Sequence, residues 1–211
     1  GTVAVGSAAL AALVSGSENT AVGYQALDGL VGGDKTTAIG YQAMHDVGGS
    51  TVRDSDNNIA IGYRAMGGTW VTTKSEGNTA IGNMAMAGAM EGCNSNVAVG
   101  QTALGSLTLG DSNTAIGYGA LTSGTTSTEN TVVGYIAGDA LVGGGSNTIV
   151  GAHAGGQTTA VGKTVIIGAE AGESVMTTDA IGTVAVGYEA LKSLTAGDAN
   201  TAVGHTSLKT C

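Results

Sequence analysis

The sequence predicts an all-β protein, a parallel β-roll or β-helix solenoid of about twelve coils with about 17 residues in each. A short apolar run that ends in glycine recurs along the whole chain, most clearly as NTAVGYQAL from Asn19 to Leu27. The residues before each glycine are rich in the β-branched types that favour strands. Other residue types recur at fixed distances from the glycine. The recurring glycines are Gly6, Gly23, Gly40, Gly62, Gly82, Gly100, Gly117, Gly134, Gly151, Gly168, Gly187 and Gly204.

Successive recurring glycines lie 17 to 22 residues apart, and 17 is the commonest interval. A period that runs through a whole chain indicates stacked repeats, each of which is too small to bury a core of its own. Residues 1–211 are therefore expected to form a single β-solenoid region, a segment of a longer fibre, without a separate catalytic domain.

Two short strands are predicted in each repeat, one on either side of the glycine. The first covers Thr20 to Val22 and its equivalents, and the second covers Tyr24 to Leu27 and its equivalents. A repeat of two helices needs about 34 residues, so a coil of this length has room only for strands and turns. The glycine between the strands is expected to make the corner, because it takes positive φ or admits another backbone at close range.

Stacking turns each repeat position into a column of like residues, with about 4.8 Å between coils. With the glycine as position 0, Val or Ile always occupies position −1, and Ala occupies position +3 in eleven repeats. The Val/Ile column is expected to fill the inside of the coil. Asn at position −4 is expected to link side-chain amides from coil to coil. These residues are Asn19, Asn58, Asn78, Asn96, Asn113, Asn130, Asn147 and Asn200.

All six tyrosines lie at position +1, namely Tyr24, Tyr41, Tyr63, Tyr118, Tyr135 and Tyr188. Aromatic faces suit sugar rings, so this column could act as a platform for glycans. Regular spacing is also what packing requires, and a ladder of rings packed on one another or at a seam between chains is the favoured interpretation.

Two long intervals between glycines predict loops near residues 45–57 and 67–77. Extra residues in a solenoid emerge on one side, which is often the binding side. The candidate contacts for a glycan or another receptor are Arg53 and Asp54 in the first loop and Trp70 and Lys74 in the second. For Trp70, a role as a plug that caps its loop onto the roll is an equal alternative.

Charge and hydropathy exclude several classes of protein. The net charge of −9 repels phosphate backbones, so nucleic acid is not expected as a partner. No apolar run approaches the roughly 18 residues of a membrane span, so no membrane insertion is expected. Cys93 and Cys211 are too few for a disulfide framework, and Cys93 is expected to be a free thiol.

Motifs that suggest enzyme chemistry fail on their spacing. Residues 156–164, GQTTAVGKT, enclose five residues between the two glycines where a phosphate loop needs four. Residues 54–58, DSDNN, are not followed by the glycine and the glutamate of a calcium loop. The histidines have no ligand spacing, and Glu170 and Glu173 are expected to be solvated charges. A non-enzyme is predicted, with no catalytic residue, no metal and no cofactor.

The apolar columns predict association between chains. A thin roll has little interior, and facing strands cannot hide every apolar column from water. Several parallel chains, in register, are therefore expected to pack side by side and bury one face of every coil. This reasoning does not fix the number of chains.

The repeats NTAVGYQAL, TTAIGYQAM, NNIAIGYRAM, GNTAIGNMAM and SNTAIGYGAL resemble those of trimeric phage tail fibres and related surface fibres. They are also similar to the head repeats of YadA-type trimeric autotransporter adhesins, which have a shorter period. The resemblance covers essentially the whole chain. It implies a left-handed parallel β-roll, a homotrimer and a role in attachment to cell surfaces. The period of 17 and the tyrosine at position +1 are closer to the tail-fibre repeats.

The expected function is therefore that of a structural fibre shaft or adhesion module, extracellular and most similar to part of a phage tail fibre that projects or presents host attachment. Its expected partners are copies of itself, in a parallel homotrimer, and cell-surface glycans. The alternatives are the head of a bacterial trimeric adhesin, a subunit of a self-assembling extracellular filament, and an ice- or mineral-binding solenoid. The last ranks lowest because ice binding favours a regular Thr array, and position −3 alternates Thr with Val.

Overall fold

The computed structural model describes residues 1–45, 55–70, 73–174, 176 and 180–210. Over these residues the chain is a parallel β-solenoid of about eleven turns, in which twelve strands form one sheet in sequence order. The strands are β1 Val3–Val5, β2 Thr20–Val22, β3 Thr37–Ile39, β4 Ile59–Ile61, β5 Thr79–Ile81, β6 Val97–Val99, β7 Thr114–Ile116, β8 Thr131–Val133, β9 Thr148–Val150, β10 Val165–Ile167, β11 Val184–Val186 and β12 Thr201–Val203.

Every strand pairs in parallel with the equivalent strand of the next coil, so the predicted columns are present. Thr20 lies opposite Thr37, for example, and Val22 lies opposite Ile39. The pairing survives the longest interval, because Thr37 lies opposite Ile59 although 22 residues separate them. The extra residues of that coil therefore leave the register of the sheet unchanged.

The second predicted strand, Tyr24 to Leu27 and its equivalents, is wrong. These residues form turns, in which Gln25 and Leu27 have φ values of 51° and 52°, and positions +2 and +4 repeat this left-handed backbone in every coil. An extended strand cannot alternate with left-handed residues. Hydrogen bonds still join the coils here, since Gln42 N–H donates to Tyr24 O at 2.9 Å and Leu27 N–H donates to Ala43 O at 3.1 Å.

The prediction that the Val/Ile column fills the inside of the coil is also wrong. Side chains alternate across a strand, and the residue that points inward is the Ala, Val or Ile at position −2, as in Ala21 and Ala38. Position −1 therefore points outward, and Ile39 and Ile116 are each 39% exposed. The core consists of position −2, the Ala at +3 and the Leu or Met at +4, together with Trp70.

The glycine corner is confirmed. The position 0 glycines have φ between +129° and +146°, a region that disfavours L-residues. A Cβ on Gly117 would lie 2.3 Å from the carbonyl oxygen of Gly134, and one on Gly134 would lie 2.4 Å from that of Gly151. Both the backbone angle and the closeness of the next coil therefore require glycine at this position.

The asparagine ladder is confirmed as a continuous chain of buried hydrogen bonds. From Asn58 to Thr164, each Asn Oδ1 accepts the backbone N–H of the position −4 residue in the next coil, at 2.9 to 3.1 Å. The same oxygen accepts the next Asn Nδ2–H at 2.8 to 3.2 Å. Each Nδ2 also donates to a backbone carbonyl, as Asn113 does to Ser127 O at 2.6 Å. The amides thus satisfy backbone groups that face away from water.

Two facing core columns exchange size in three successive coils. Most coils combine a small Ala at position −2 with Leu or Met at +4. The three exceptions combine Val or Ile with Gly, in the pairs Val132 and Gly138, Ile149 and Gly155, and Ile166 and Gly172. A Cβ on Gly138 would lie 3.4 Å from Ile149 Cδ1 and 3.5 Å from Val132 Cγ1, so the larger side chains occupy the space of the missing leucine.

This exchange predicts a favourable coupling between Val132→Ala and Gly138→Leu. Val132→Ala alone leaves a cavity and Gly138→Leu alone overpacks the core, at a cost of about 1–3 kcal/mol each. The double variant recreates the arrangement of Ala115 and Leu121 in the preceding coil, so we expect it to recover at least about 1 kcal/mol relative to the sum. Urea unfolding of the four proteins measures this coupling.

The control cycle joins Val132→Ala to Leu27→Ala, which changes a core residue several coils away. We expect these two losses to add within about 0.5 kcal/mol. A coupling near zero between positions 132 and 138 would contradict size exchange as the reason for the three glycines.

Candidate functional site

The outward side of the sheet is an uninterrupted, uncharged surface, which we call the outer sheet face. It consists of positions −3 and −1 of strands β1 to β12. Each of these positions is Val, Ile or Thr, although 11% of the chain is charged. Ile81 and Ile167 are each 38% exposed on this face, and Val203 is 68% exposed. Apolar side chains in this number on one side of a solenoid indicate a surface that another molecule covers.

The tyrosine column forms rows of stacked rings beyond the glycine corner. Ring centroids lie 5.2 Å apart for Tyr24 and Tyr41, and 5.4 Å apart for Tyr118 and Tyr135. The rings pack on one another, as the favoured interpretation expects, yet the six tyrosines remain 43% to 52% exposed. Packing along the row therefore leaves one side of each ring open to a ligand.

Histidines extend two of these rows. His205 occupies position +1 and stacks on Tyr188, with ring centroids 5.3 Å apart. His153 occupies position +2 and meets Tyr135 edge-on at 5.4 Å. The position of His205 in the repeat was a signal for this stacking in the sequence. The remaining histidine, His45, has Nε2 3.6 Å from Asp28 Oδ2.

A notch opens beside Tyr118, where position +2 is Gly119. Its volume is about 230 Å³. Around Gly119 it is lined by Thr102, Tyr118, Thr122, Ser123, Ile136 and Asp139. Burial raises the pKa of the Asp139 carboxyl above its usual value, because solvation of the charged form is reduced there. The notch therefore combines an aromatic ring, an aliphatic side chain, hydroxyl groups and a partly desolvated carboxylate.

The predicted contact residues do not form a common surface. Trp70 is 0% exposed and lies in the core, so its assignment as a glycan contact is corrected. The chain after Gly62 places this ring inside the coil, where its Nε1 has no hydrogen-bond partner. Lys74 is exposed and pairs with Glu76, with Nζ and Oε1 2.5 Å apart. Arg53 and Asp54 lie outside the described residues.

Lys74 borders a second, wider cleft of about 570 Å³ that also contains Asp34 and Asp56. Both carboxylates serve the backbone of the preceding coil. Asp34 Oδ1 accepts Ser17 N–H at 2.6 Å, and Asp56 Oδ1 accepts Asp34 N–H at 2.7 Å. Within the described ranges, no group of three or more His, Cys, Asp or Glu side chains is arranged to hold a metal ion. The acidic groups of this cleft thus have a structural role.

Glu170 and Glu173 share one lysine near the other end of the solenoid. Lys192 Nζ lies 2.5 Å from Glu170, 3.1 Å from Glu173 and 2.9 Å from Glu189. Hydrogen bonds from Lys209 and Lys192 lower the pKa of Glu189 to about 2. A carboxylate held ionised in this way is a poor proton donor near neutral pH.

Cys93 belongs to the core and is a free cysteine. Its Sγ lies 3.2 Å from Thr108 O, and burial raises the pKa of the thiol. Both effects disfavour reaction with solvent reagents. In the part of the chain that the structure describes, no helix has the length and apolar character needed to cross a membrane.

Comparison of the chain with protein-family models, with curated proteins and with solved structures gives no match. The relationship to tail-fibre and adhesin repeats therefore stays a prediction from the repeat residues.

Proposed function

We propose that this chain is a structural shaft and adhesion module of an extracellular fibre of the tail-fibre type, in which parallel copies associate in register as a homotrimer. The observation that carries this proposal is the outer sheet face, because it is uncharged and apolar along the whole sheet. The single chain hides its own Leu and Met columns, so the outer sheet face is the apolar surface left for other copies.

The dimensions of this face suit association along the length of the solenoid. Eleven strand spacings of about 4.8 Å give a strip about 53 Å long, with two outward side chains per strand. Such a strip exposes on the order of 500 Å² of mainly apolar surface, which is at the upper end for a monomeric protein. Burial against other copies removes it from water, and the exposed edges of the tyrosine rows can add to the contact.

A parallel arrangement in register follows from the irregular coils. Copies aligned at the same height place the wide coil between β3 and β4 beside its own equivalent, and they match every apolar position with another. A shift by one coil would set this wide coil against a regular one. Hydrogen bonds from coil to coil give the resulting fibre the resistance to bending and proteolysis that a shaft needs.

Measurement of mass in solution tests the association. We expect three times the chain mass of 20.3 kDa, unchanged on dilution to micromolar concentration. A stable mass of one chain would overturn the proposal. A broad series of masses that grows with concentration would instead favour a filament that stacks end to end.

Ile116→Lys places a charge on the outer sheet face without changing the core, since Ile116 points outward and is 39% exposed. We expect this variant to weaken self-association at least about tenfold while its circular dichroism remains that of the wild type. The control is Val142→Lys, which makes the same change at an exposed apolar residue (48%) outside the strands. Equal assembly of both variants would show that the outer sheet face is not the interface.

A further inference from the structure

Gly119 differs from the residue at position +2 in every other coil. It is the only glycine among the twelve, yet its φ of +64° is close to the +50° to +58° of the eleven others. A Cβ there would lie 3.4 Å from Thr122 Oγ1 and 3.6 Å from Ile136 Cγ1, which is ordinary contact. Neither the local space nor a special backbone angle demands glycine, so its distinct effect is the empty volume that it leaves.

That volume has the chemical groups that recognise a sugar. The half-exposed ring of Tyr118 is held in place by its stack on Tyr135, and Ile136 adds an aliphatic wall. A pyranose presents an apolar C–H face that packs against such surfaces. The volume of about 230 Å³ is below that of sites for drug-sized ligands, and it suits a single ring.

The polar groups of the notch are suited to accept hydrogen bonds from sugar hydroxyls. The Thr122 hydroxyl donates its proton to Gly119 O at 2.7 Å, which leaves its lone pairs as acceptors. The Asp139 carboxylate is a stronger acceptor in its partly buried setting. This carboxylate and the net charge of −9 disfavour acidic sugars by repulsion.

We propose that the notch between Tyr118 and Asp139 binds one neutral hexose or N-acetylhexosamine unit of a cell-surface glycan, with the sugar ring on Tyr118 and its hydroxyls on Asp139, Thr122 and Ser123. The inference rests on the proposed attachment function, which it deepens by giving a shaft coil its own ligand. The notch uses positions +1 to +6, beyond the glycine corner, and does not use the outer sheet face. Copies that pack through that face leave the notch open.

An array of neutral oligosaccharides with terminal mannose, glucose, galactose and N-acetylhexosamine tests this site in the wild-type chain and two variants. Gly119→Gln fills the notch with the side chain that Gln25 and Gln42 carry at the same position, so its backbone is already suited to the change. Tyr118→Ala removes the stacking surface. We expect binding of at least one of these glycans by the wild type, and a loss of about tenfold or more in both variants.

Tyr24→Ala is the matched control, because Tyr24 is equally exposed but stands beside Gln25 and has no notch. We expect its glycan binding to stay within about twofold of the wild type. The site would be ruled out if the wild type bound none of these glycans, if Gly119→Gln bound as well as the wild type, or if Tyr24→Ala lost as much as Tyr118→Ala.

Mass and thermal unfolding of the same samples separate this inference from the proposed function. An assembled wild type that binds no neutral glycan overturns the sugar site alone. A monomeric wild type whose binding is lost in Gly119→Gln supports the sugar site and overturns the proposed assembly.

Discussion

Gly134→Ala is expected to lower the free energy of unfolding by more than about 4 kcal/mol, the largest effect of any single methyl group in this chain. Its φ of +146° is strained for an L-residue, which costs about 1–3 kcal/mol. The added Cβ would also lie 2.4 Å from the carbonyl oxygen of Gly151, which is backbone and cannot rotate away. Relief of this contact requires the two coils to separate, and the hydrogen bonds between them would weaken.

Gly204→Ala separates the two causes. Gly204 has a similar φ of +129°, but the nearest atom to its Cβ would be Ser207 Cβ at 3.9 Å. We expect this variant to lose only the strain of about 1–3 kcal/mol. Urea unfolding followed by circular dichroism, at one protein concentration, measures both. Equal losses would show that the close approach of the coils is not what requires glycine at position 0.

The second large effect is expected at Asn113, in the middle of the asparagine ladder. Asn113→Ala removes the acceptor of the Asn130 backbone and side-chain N–H groups and the donor to Ser127 O. Each buried polar group left without a partner costs about 1–3 kcal/mol. We expect a combined loss of about 3–5 kcal/mol, because some of these groups will find weaker partners.

Asn113→Thr is the graded control, since Thr already replaces Asn in the ladder. The Thr164 hydroxyl donates to Asn147 Oδ1 at 2.8 Å, and the Thr36 hydroxyl accepts Asn58 N–H at 3.4 Å. Thr at position 113 should therefore keep both neighbours and leave only Ser127 O unpaired, at a loss of about 1–2 kcal/mol. If Thr proved as costly as Ala in urea unfolding, the ladder hydrogen bonds would not be the source of the stability.

The repeat predicted the parts of the fold that depend on period alone. Parallel stacking, the glycine corner and the asparagine ladder all follow from the fact that like residues recur at one position. The second strand could not be predicted, because Gln25 and Leu27 are ordinary residues in a left-handed conformation that residue type does not reveal. The direction of the Val/Ile column was equally hidden. Hydrophobicity favours Val over Ala for the interior, whereas here Leu27 fills the coil and leaves room only for Ala21.

The candidate site shows the same division. Loop length gave good reason to look at Trp70, but only the path of the chain shows that the ring turns inward. The notch had a visible signal, a glycine at position +2 that occurs once. Its meaning depended on knowing that this position faces solvent between Tyr118 and Asp139, which no spacing in the sequence states.

The unchanged register on both sides of the wide coil has a consequence for how such a chain can evolve and be engineered. Each strand contacts only the strands before and after it, so whole units can be duplicated or deleted without disturbing distant ones. The length of the rod then becomes a quantity that recombination can adjust in steps of about 4.8 Å. The connection between Ile39 and Ile59 already accommodates additional residues, and it is a natural place to graft a foreign peptide for display at a chosen height.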